Sequence, residues 1–186
     1  MSAPGVASPS DVVSASGVVS LSDLARARQL AGSVPDPELP MLTLDDLGIL
    51  RDVAAAGARI VVSITPTYTG CPALRDMGAD VARRLAAGGY ADAEVRVVIA
   101  PPWSSDWITD AGRRKLAAAG IAPPGPAPRA RCGPVPLTLT AGRADVACPA
   151  CGGADTVLSA AFGATACRDL YRCRACGEPF EHVKEI

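Results

Sequence analysis

The sequence is poor in aromatic residues, carries no surplus of either charge and contains no long apolar run. Aromatic residues make up 4% of the 186 residues, so we expect a core built mostly from Val, Ile, Leu and Ala. The formal net charge of −1 gives no bulk electrostatic attraction to nucleic acid or to an anionic membrane, and neither is an expected partner. No apolar run approaches the roughly 18–20 residues that a membrane-spanning helix needs.

The N-terminal segment also lacks the features of a secretory signal. Residues 1–20 contain neither a basic start nor a long apolar stretch. We therefore expect a cytoplasmic protein, in which thiols stay reduced. The chain nevertheless contains seven cysteines, and metal binding or reactive thiols account for them better than disulfides do.

A strand–turn–helix pattern surrounds Cys71. The apolar, β-branched run at 60–64 predicts a buried strand, and an apolar stripe with helical spacing follows Cys71. Pro72 suits the first helical position, which makes Cys71 the predicted N-cap. Free N–H groups and the positive end of the helix dipole would then favour the thiolate and depress the pKa of Cys71. The alternative is a buried structural cysteine that happens to precede a helix.

The predicted elements follow the order α-β-β-α-β-α, which indicates an α+β domain with helices packed on a small sheet. The first helix is expected to be capped by Ser20 or Ser22. The other predicted elements are strands at 47–53 and 58–64 around a turn at 54–57, a helix after Pro72 that ends at Gly88, a strand at 94–99 and a helix at 108–119.

Composition divides the chain into four parts. Residues 1–19, rich in Ser, Ala, Gly, Val and Pro, predict a disordered tail. The α+β domain is expected over 20–120. Six prolines in 121–136 predict a semi-rigid linker, and 137–186 is expected to form a separate cysteine-rich module.

Two carboxylates, Asp36 and Glu38, lie on a loop stiffened by three prolines within residues 35–40. Taken by itself, the loop is best interpreted as a solvated turn.

A second loop follows the predicted strand at 94–99 and contains both tryptophans of the chain. If this strand is the parallel neighbour of the strand at 58–64, the loop lies at the same sheet edge as Cys71. Sites on open α/β sheets form at such edges.

Cys-x-x-Cys-Gly occurs twice in the C-terminal module, a pattern typical of zinc knuckles. Twenty-one residues separate the two pairs, just beyond the ~15–20 typical of four-cysteine zinc sites. Zn²⁺ prefers four tetrahedral ligands, and a closed four-cysteine shell is structural. So small a module has little core, and metal binding should supply much of its folding free energy. The predicted zinc ligands are Cys148, Cys151, Cys173 and Cys176.

Three further residues that could bind metal receive no role from the sequence. His182, the sole histidine, is expected to be exposed or to pack in the ribbon. Cys132 and Cys167 are interpreted as spare thiols. Basic and acidic side chains balance in the ribbon, which disfavours a nucleic-acid-binding role.

Several segments together resemble the PaaD family of phenylacetyl-CoA epoxidase components. The resemblance covers roughly residues 22–184, and Pro-Thr-Tyr-Thr-Gly-Cys-Pro-Ala with Trp-x-x-Asp-Trp is a specific combination. The N-terminal domain also resembles a wider family of small iron–sulfur assembly and targeting proteins, whose hallmarks are an Asp-Pro-Glu loop and a cysteine at the position of Cys71. The segments that carry the resemblance are 36–40, 44–53, 65–73, 103–109, 120–124 and 162–168.

The resemblance implies an accessory subunit, not the oxygenase, and other epoxidase subunits as partners. In that system the other subunits carry a di-iron site and a reductase with flavin and a 2Fe–2S cluster, and the PaaD component is associated with maturing or repairing one of these centres. We expect Cys71, with Asp36 and Glu38, to capture iron or an Fe–S cluster transiently. One cysteine per chain could supply half of a site shared in a homodimer. The residues expected to shape the site are Thr69, Trp103, Asp106 and Trp107.

Two alternatives remain open at this stage. One is a structural scaffold or adaptor of the same complex. The other is a thiol enzyme that uses Cys71 as its nucleophile. The enzyme alternative is weaker because the sole histidine lies far along the chain, in the ribbon, so no histidine base is at hand.

Overall fold

The computed structural model describes residues 19–128 and 146–186. Within these ranges the chain forms three α-helices, one 3₁₀ helix and six strands, and the predicted α+β class and element order are confirmed. No described helix is long and apolar enough to cross a membrane. The helices are α1 (Leu21–Gly32), α2 (Ala73–Ala87) and α3 (Asp110–Ala118), and the strands are β1 (Leu50–Ala56), β2 (Arg59–Ile64), β3 (Glu94–Val97), β4 (Thr156–Ala160), β5 (Arg168–Cys173) and β6 (Pro179–Val183).

Helix α1 begins at a capping box formed by Ser20 and Asp23. The Ser20 hydroxyl accepts a hydrogen bond from the Asp23 backbone N–H at 3.1 Å, and the Asp23 carboxylate accepts one from the Ser20 N–H at 3.0 Å. The reciprocal pair satisfies two backbone donors that the helix itself leaves free. Of the two predicted caps, Ser20 is confirmed.

The N-terminal sheet has the order β1-β2-β3. Strands β1 and β2 form an antiparallel hairpin, and β3 lies parallel to β2, with α2 as the crossover. The hairpin turns at Gly57, whose φ of 65° lies in the left-handed region that glycine tolerates best. The parallel arrangement places the Cys71 loop and the Trp103 loop at the same sheet edge, as the sequence suggested.

Strand β1 begins three residues later than the prediction, because the residues before it form a turn. The carboxylate of Asp46 accepts a hydrogen bond from the Thr43 N–H at 2.9 Å, and the Thr43 hydroxyl accepts one from the Asp46 N–H at 3.2 Å. The strand also continues through Ala56, so the predicted turn at 54–57 was wrong in its first three residues.

Helix α3 is shorter than the predicted helix at 108–119. A 3₁₀ turn at Ser105–Trp107 precedes it, and Thr109 caps it by accepting a hydrogen bond from the Gly112 N–H at 3.0 Å. The start of the helix is therefore set by the threonine cap rather than by the apolar Ile108, which is buried in the core.

The N-terminal core is mostly aliphatic, as the composition predicted. It forms where α1 and α2 pack on the sheet and on each other. Its fully buried large side chains include Leu42, Leu44, Ile49, Val62, Ile64, Met77, Val81, Leu85 and Leu116.

The ribbon consists of the antiparallel sheet β4-β5-β6 and packs against the N-terminal domain. The Ala122 N–H donates to the Glu181 carbonyl at 2.8 Å, and the Val183 N–H donates to the Ala122 carbonyl at 3.1 Å. Val183 joins the N-terminal core, and Ile121 and Ala122 are buried. The first residues of the predicted linker thus lie against β6.

Residues 1–18 and 129–145 lie outside the described residues. The first range is most of the predicted tail. The second contains the rest of the predicted linker, Cys132 and the start of the predicted second module. The four-part division of the chain stays a prediction.

Candidate functional site

The four predicted zinc ligands meet at one end of the ribbon. Their Sγ atoms all lie within 4.8 Å of one another. The Sγ atoms of Cys148 and Cys176 are 3.8 Å apart, and those of Cys151 and Cys173 are 3.6 Å apart. Tetrahedral coordination with Zn–S bonds of ~2.3 Å requires S···S separations of about 3.8 Å. The cluster is a four-cysteine metal site whose geometry fits zinc.

The glycine after each Cys-x-x-Cys closes its knuckle. Gly152 and Gly177 have φ values of 72° and 82°, in the left-handed region. Each donates its N–H to the carbonyl of the first cysteine of its pair, Gly152 to Cys148 at 2.8 Å and Gly177 to Cys173 at 3.0 Å. In each Cys-x-x-Cys-Gly repeat, the cysteines therefore supply the ligands and the glycine supplies the backbone conformation that closes the turn.

Cys71 lies between the loop that follows β2 and the start of α2. The helix begins at Ala73, one residue later than predicted, so Pro72 and not Cys71 occupies the N-cap position. The Cys71 thiol still lies near the helix terminus, where the backbone N–H groups of Ala73 and Leu74 act to lower its pKa. The predicted donors are thus present although the cap is shifted.

The expectation of a depressed pKa for Cys71 was wrong. Burial, the largest influence, raises the pKa of the thiol, and the hydrogen bond from Ala73 lowers it by less. The negative charges of Glu38 and Cys167 raise the pKa of Cys71 further. A half-buried thiol beside a carboxylate therefore keeps its proton above the usual range, despite the helix terminus.

A small, partly open cavity of about 30 Å³ lies beside Cys71. The N-terminal domain supplies most of its wall, and the ribbon and the segment after it supply the rest. Four of the predicted site residues line it, namely Cys71, Asp36, Glu38 and Trp103. The other lining residues are Leu39, Leu47, Ile49, Thr67, Met77, Cys167, Val183 and Ile186.

Asp36 organises the loop that carries Glu38. Its Oδ1 atom accepts hydrogen bonds from the N–H groups of Glu38 and Leu39, both at 2.8 Å. Asp36 is only 7% exposed, so the interpretation of this loop as a solvated turn is wrong at this residue. The Asp36 carboxylate holds the backbone, while Glu38 is the half-buried carboxylate beside Cys71.

Charge around Glu38 comes from both modules. Burial raises the pKa of Glu38, and the Asp36 carboxylate raises it again. Arg168 of the ribbon lowers it by less, so the net shift is upward. Glu38 therefore lies among groups of both signs at the junction of the two modules.

Of the predicted site residues on the Trp103 loop, only Trp103 lines the cavity. Trp103 is buried and donates from Nε1 to the Leu47 carbonyl at 2.9 Å, which fixes the indole against the cavity. Asp106 is exposed and accepts a hydrogen bond from the Ala127 N–H at 2.9 Å. The Arg51 guanidinium lies 3.5 Å from the centroid of the Trp107 ring. Asp106 and Trp107 thus support the loop without lining the cavity.

Thr69, the remaining predicted site residue, is exposed and is not part of the cavity wall. Thr67 of the same loop lines the cavity instead. The loop backbone decides which threonine turns inward, and the sequence pattern does not reveal this.

Cys167 is the site residue that the sequence analysis missed. It lies just before β5, lines the cavity from the ribbon side and influences the pKa of Cys71. Its Sγ atom is 3.0 Å from the Thr165 hydroxyl. The segment 162–168 was among those that carry the family resemblance, and this was the available signal.

His182 is a packing residue of the ribbon, one of the two predicted placements. It is 1% exposed; its Nδ1 atom is 2.9 Å from Asp169 Oδ1 and its Nε2 atom is 3.2 Å from Glu185 Oε1. Its ring also packs edge-on against Tyr171. His182 is not among the residues that line the cavity beside Cys71.

Two family profiles match the chain, and they divide it between its two modules. Residues 27–101 match the family described as iron-sulfur cluster assembly protein, and residues 133–184 match the PaaD zinc beta ribbon domain.

Two solved structures are similar to about half of the chain. A domain of unknown function, DUF59, from Bacillus anthracis is 29% identical, with a TM-score of 0.46, and the match covers 50% of this chain and 90% of that one. A Mycobacterium tuberculosis protein associated with Fe–S complex assembly and repair is 30% identical, with a TM-score of 0.29, and the match covers 54% of this chain and 85% of that one.

A curated relative extends the similarity across both modules. The Escherichia coli (strain K12) protein named "Putative 1,2-phenylacetyl-CoA epoxidase", the D component of that enzyme, is 38% identical over 158 residues. The match covers 84% of this chain and 90% of the relative. With an iron–sulfur-assembly domain followed by a zinc ribbon, the chain belongs to the PaaD family of phenylacetyl-CoA epoxidase components.

Proposed function

We propose that this chain is a non-catalytic accessory subunit of the phenylacetyl-CoA epoxidase system of phenylacetate degradation. It acts in the cytoplasm on the oxygenase or reductase subunits, where it matures or repairs an iron or Fe–S centre. Cys71 accepts iron or a cluster transiently, with Glu38 beside it. Family membership supports the assignment to this system, and the geometry at Cys71 supports the role.

The observation that carries the proposal is that a thiol, Cys71, and a carboxylate, Glu38, line the same small cavity. Thiolate and carboxylate are both ligands of iron. A cavity of about 30 Å³ has the size of a single ion or water, whereas pockets for organic ligands measure ~300–1,000 Å³. This cavity therefore suits an ion better than an acyl-CoA substrate, while on its other side Cys71 also lines an open groove of about 540 Å³ with Pro72 and Val97.

The thiol-enzyme alternative has little support at this site. A nucleophilic cysteine needs a base or a depressed pKa, and burial instead raises the pKa of Cys71. The one histidine is buried in the ribbon, where its Nδ1 atom pairs with Asp169 at 2.9 Å. The neighbouring Glu38 disfavours the thiolate as well.

The ribbon metal is proposed to be a structural Zn²⁺. Four thiolates at tetrahedral spacing leave no open position for a substrate. Val183 at the end of β6 packs in the N-terminal core, so loss of the ribbon metal should also disturb the cavity beside Cys71.

The proposal is tested by purifying the epoxidase from a strain in which this chain carries Cys71→Ala. We expect normal amounts of the other subunits but less iron or sulfide and reduced turnover. Thr69→Ala is the matched control, because Thr69 lies on the same loop and is exposed. Normal iron, sulfide and turnover with Cys71→Ala would refute a maturation role and leave a scaffold of the same complex as the better explanation.

A further inference from the structure

Strand β3 forms an open edge of the N-terminal sheet. Within the described part of the chain, β2 is the one strand that pairs with β3. The Val98 N–H donates to the Ile64 carbonyl of β2 at 2.8 Å. Because backbone groups alternate in direction along a strand, those of Arg96 also face β2, whereas those of Val95 and Val97 face away from it. The outer side of β3 therefore presents backbone donors and acceptors with which another strand could pair.

The face of β3 that lies towards α2 is apolar and exposed. Val95 and Val97 line the open groove of about 540 Å³ together with Leu74 of α2. Val97 is 53% exposed, and Ile99, just after the strand, is 74% exposed. An exposed apolar edge of this kind is a ready template for pairing with another strand.

The opposite face of β3 carries charges of both signs. Glu94 and Arg96 lie on this face beside Arg59 of β2. Arg96 Nε donates to Glu94 Oε1 at 2.7 Å, and Arg59 Nη1 lies 3.8 Å from Glu94 Oε2. The Arg96 side chain is 55% exposed and the Glu94 side chain 37% exposed. Ion pairs this exposed are weak, so they can be exchanged for pairs between two chains at little cost.

We propose that β3 pairs antiparallel with β3 of a second copy of this chain, with Val95 opposite Val95, so that two three-stranded sheets become one. In this register Glu94 of each copy lies directly opposite Arg96 of the other copy, on the same face of the joined sheet. The interface is isologous, so the two-fold axis forms this charge pair twice. A foreign strand would have to supply both charges at matching positions, whereas a second copy already carries them.

The other antiparallel registers match the charges less well. A register centred on Arg96 places two arginines opposite each other, which is unfavourable. A register centred on Val97 places Arg96 opposite Val98 and leaves Glu94 without an opposite charge. With Val95 at the centre, the two Val95 residues can also exchange backbone hydrogen bonds, because both face outward. The charge pattern therefore favours both the partner and the register.

This pairing keeps the two Cys71 sites apart. In each chain the Cys71 loop follows β2, beyond the carboxyl ends of the parallel strands β2 and β3. Because the two copies of β3 run in opposite directions, the two Cys71 loops lie at opposite ends of the joined sheet. The dimer does not combine the two thiols in one site, and the inference is therefore independent of the proposed role of Cys71.

Sedimentation of the full-length, zinc-loaded protein over a range of concentrations tests the dimer. The wild type should dimerise. Glu94→Arg alone, or Arg96→Glu alone, places like charges opposite each other in both pairs, and each should weaken dimerisation about 10-fold or more. Arg114→Glu, at an exposed position of α3, is the matched control for charge reversal and should dimerise as the wild type does.

A mixture of the two charge variants tests the register. When Glu94→Arg is mixed with Arg96→Glu, opposite charges again face each other in both pairs. We expect the mixture to form dimers that contain one chain of each kind. Restored dimerisation also shows that each variant is folded.

Four results would overturn the inference. The first is a wild type that stays monomeric at the highest soluble concentration. The second is undiminished dimerisation of both charge variants. The third is a mixture that stays monomeric although each variant keeps one Zn²⁺ per chain and the wild-type circular dichroism. The fourth is a photoreactive residue at position 97 that crosslinks to an epoxidase subunit instead of a second copy, which would assign this edge to that subunit.

Discussion

Glu38 and Cys71 line the same cavity, and the negative charge of the carboxylate raises the pKa of the thiol in addition to the effect of burial. The two residues come from different loops of the N-terminal domain. Their juxtaposition combines a sulfur and an oxygen donor on the wall of a cavity of about 30 Å³. Together with burial, it lowers the reactivity of the Cys71 thiol in the absence of metal.

The alkylation rate of Cys71 should keep rising through pH ~8.5, the ordinary pKa of a cysteine. Only the thiolate reacts, and the raised pKa of Cys71 delays its formation to higher pH. Mass spectrometry of the Cys71 peptide after timed iodoacetamide pulses measures the rate in zinc-loaded protein.

Glu38→Gln should shift this pH profile to lower pH. Removing the negative charge stabilises the thiolate, so the pKa of Cys71 falls. Glu178→Gln, at an exposed position of the ribbon, should leave the profile unchanged. A wild-type rate that reaches its plateau below pH ~8.5 would show that the helix terminus outweighs burial.

Cys148→Ser should lose the ribbon metal and unfold the ribbon, whereas Cys71→Ser should keep one Zn²⁺ per chain. The reason is that Cys148 is one of four thiols within 4.8 Å of one another, and Cys71 is not part of that group. Elemental analysis and proteolysis of the ribbon report the result. Full zinc retention in Cys148→Ser would contradict the assignment of the ligands.

Asp36→Ala should destabilise the folded chain by about 1.5–3 kcal/mol, because two backbone N–H groups lose a charged acceptor in a buried turn. Asp36→Asn keeps an acceptor oxygen and should lose less stability. Urea unfolding measures both changes. Equal stability of the alanine variant and the wild type would show that the turn does not depend on the carboxylate.

Trp103→Phe should cost about 1–3 kcal/mol, since the buried Leu47 carbonyl loses its hydrogen bond from the indole. Trp107→Phe is the matched comparison. Trp107 is half-buried and contacts the Arg51 guanidinium, so its change should cost less. A larger loss of stability at Trp107 than at Trp103 would contradict the assigned positions.

Local sequence patterns predicted the elements that position Cys71. The short-range signals are a β-branched run, a turn with Gly70 and the apolar stripe of α2. In the structure, α2 begins one residue after the predicted start. The parallel pairing of β2 and β3 then determined that the Trp103 loop lies nearby. The ribbon ligands could be predicted because the two cysteines of each pair lie close together in the sequence, at a recognisable spacing.

The sequence did not reveal that Cys167 lies beside Cys71, nor the direction of the Cys71 pKa shift. Both depend on the docking of the ribbon on the N-terminal domain, through contacts such as those of Val183 and Arg168. Burial depends on packing between distant segments, whereas helix-terminus donors follow from local sequence. The local donors were therefore predicted, and the larger effect of burial was not.

The central claim is that this chain delivers iron through Cys71, and transfer in vitro measures it most directly. Iron-loaded protein is mixed without oxygen with iron-depleted epoxidase subunits, in the presence of a chelator that captures free iron. The account predicts that wild-type protein restores bound iron and turnover, whereas Cys71→Ala, with its ribbon zinc intact, restores neither. Equal restoration by both proteins, or by neither, would contradict it.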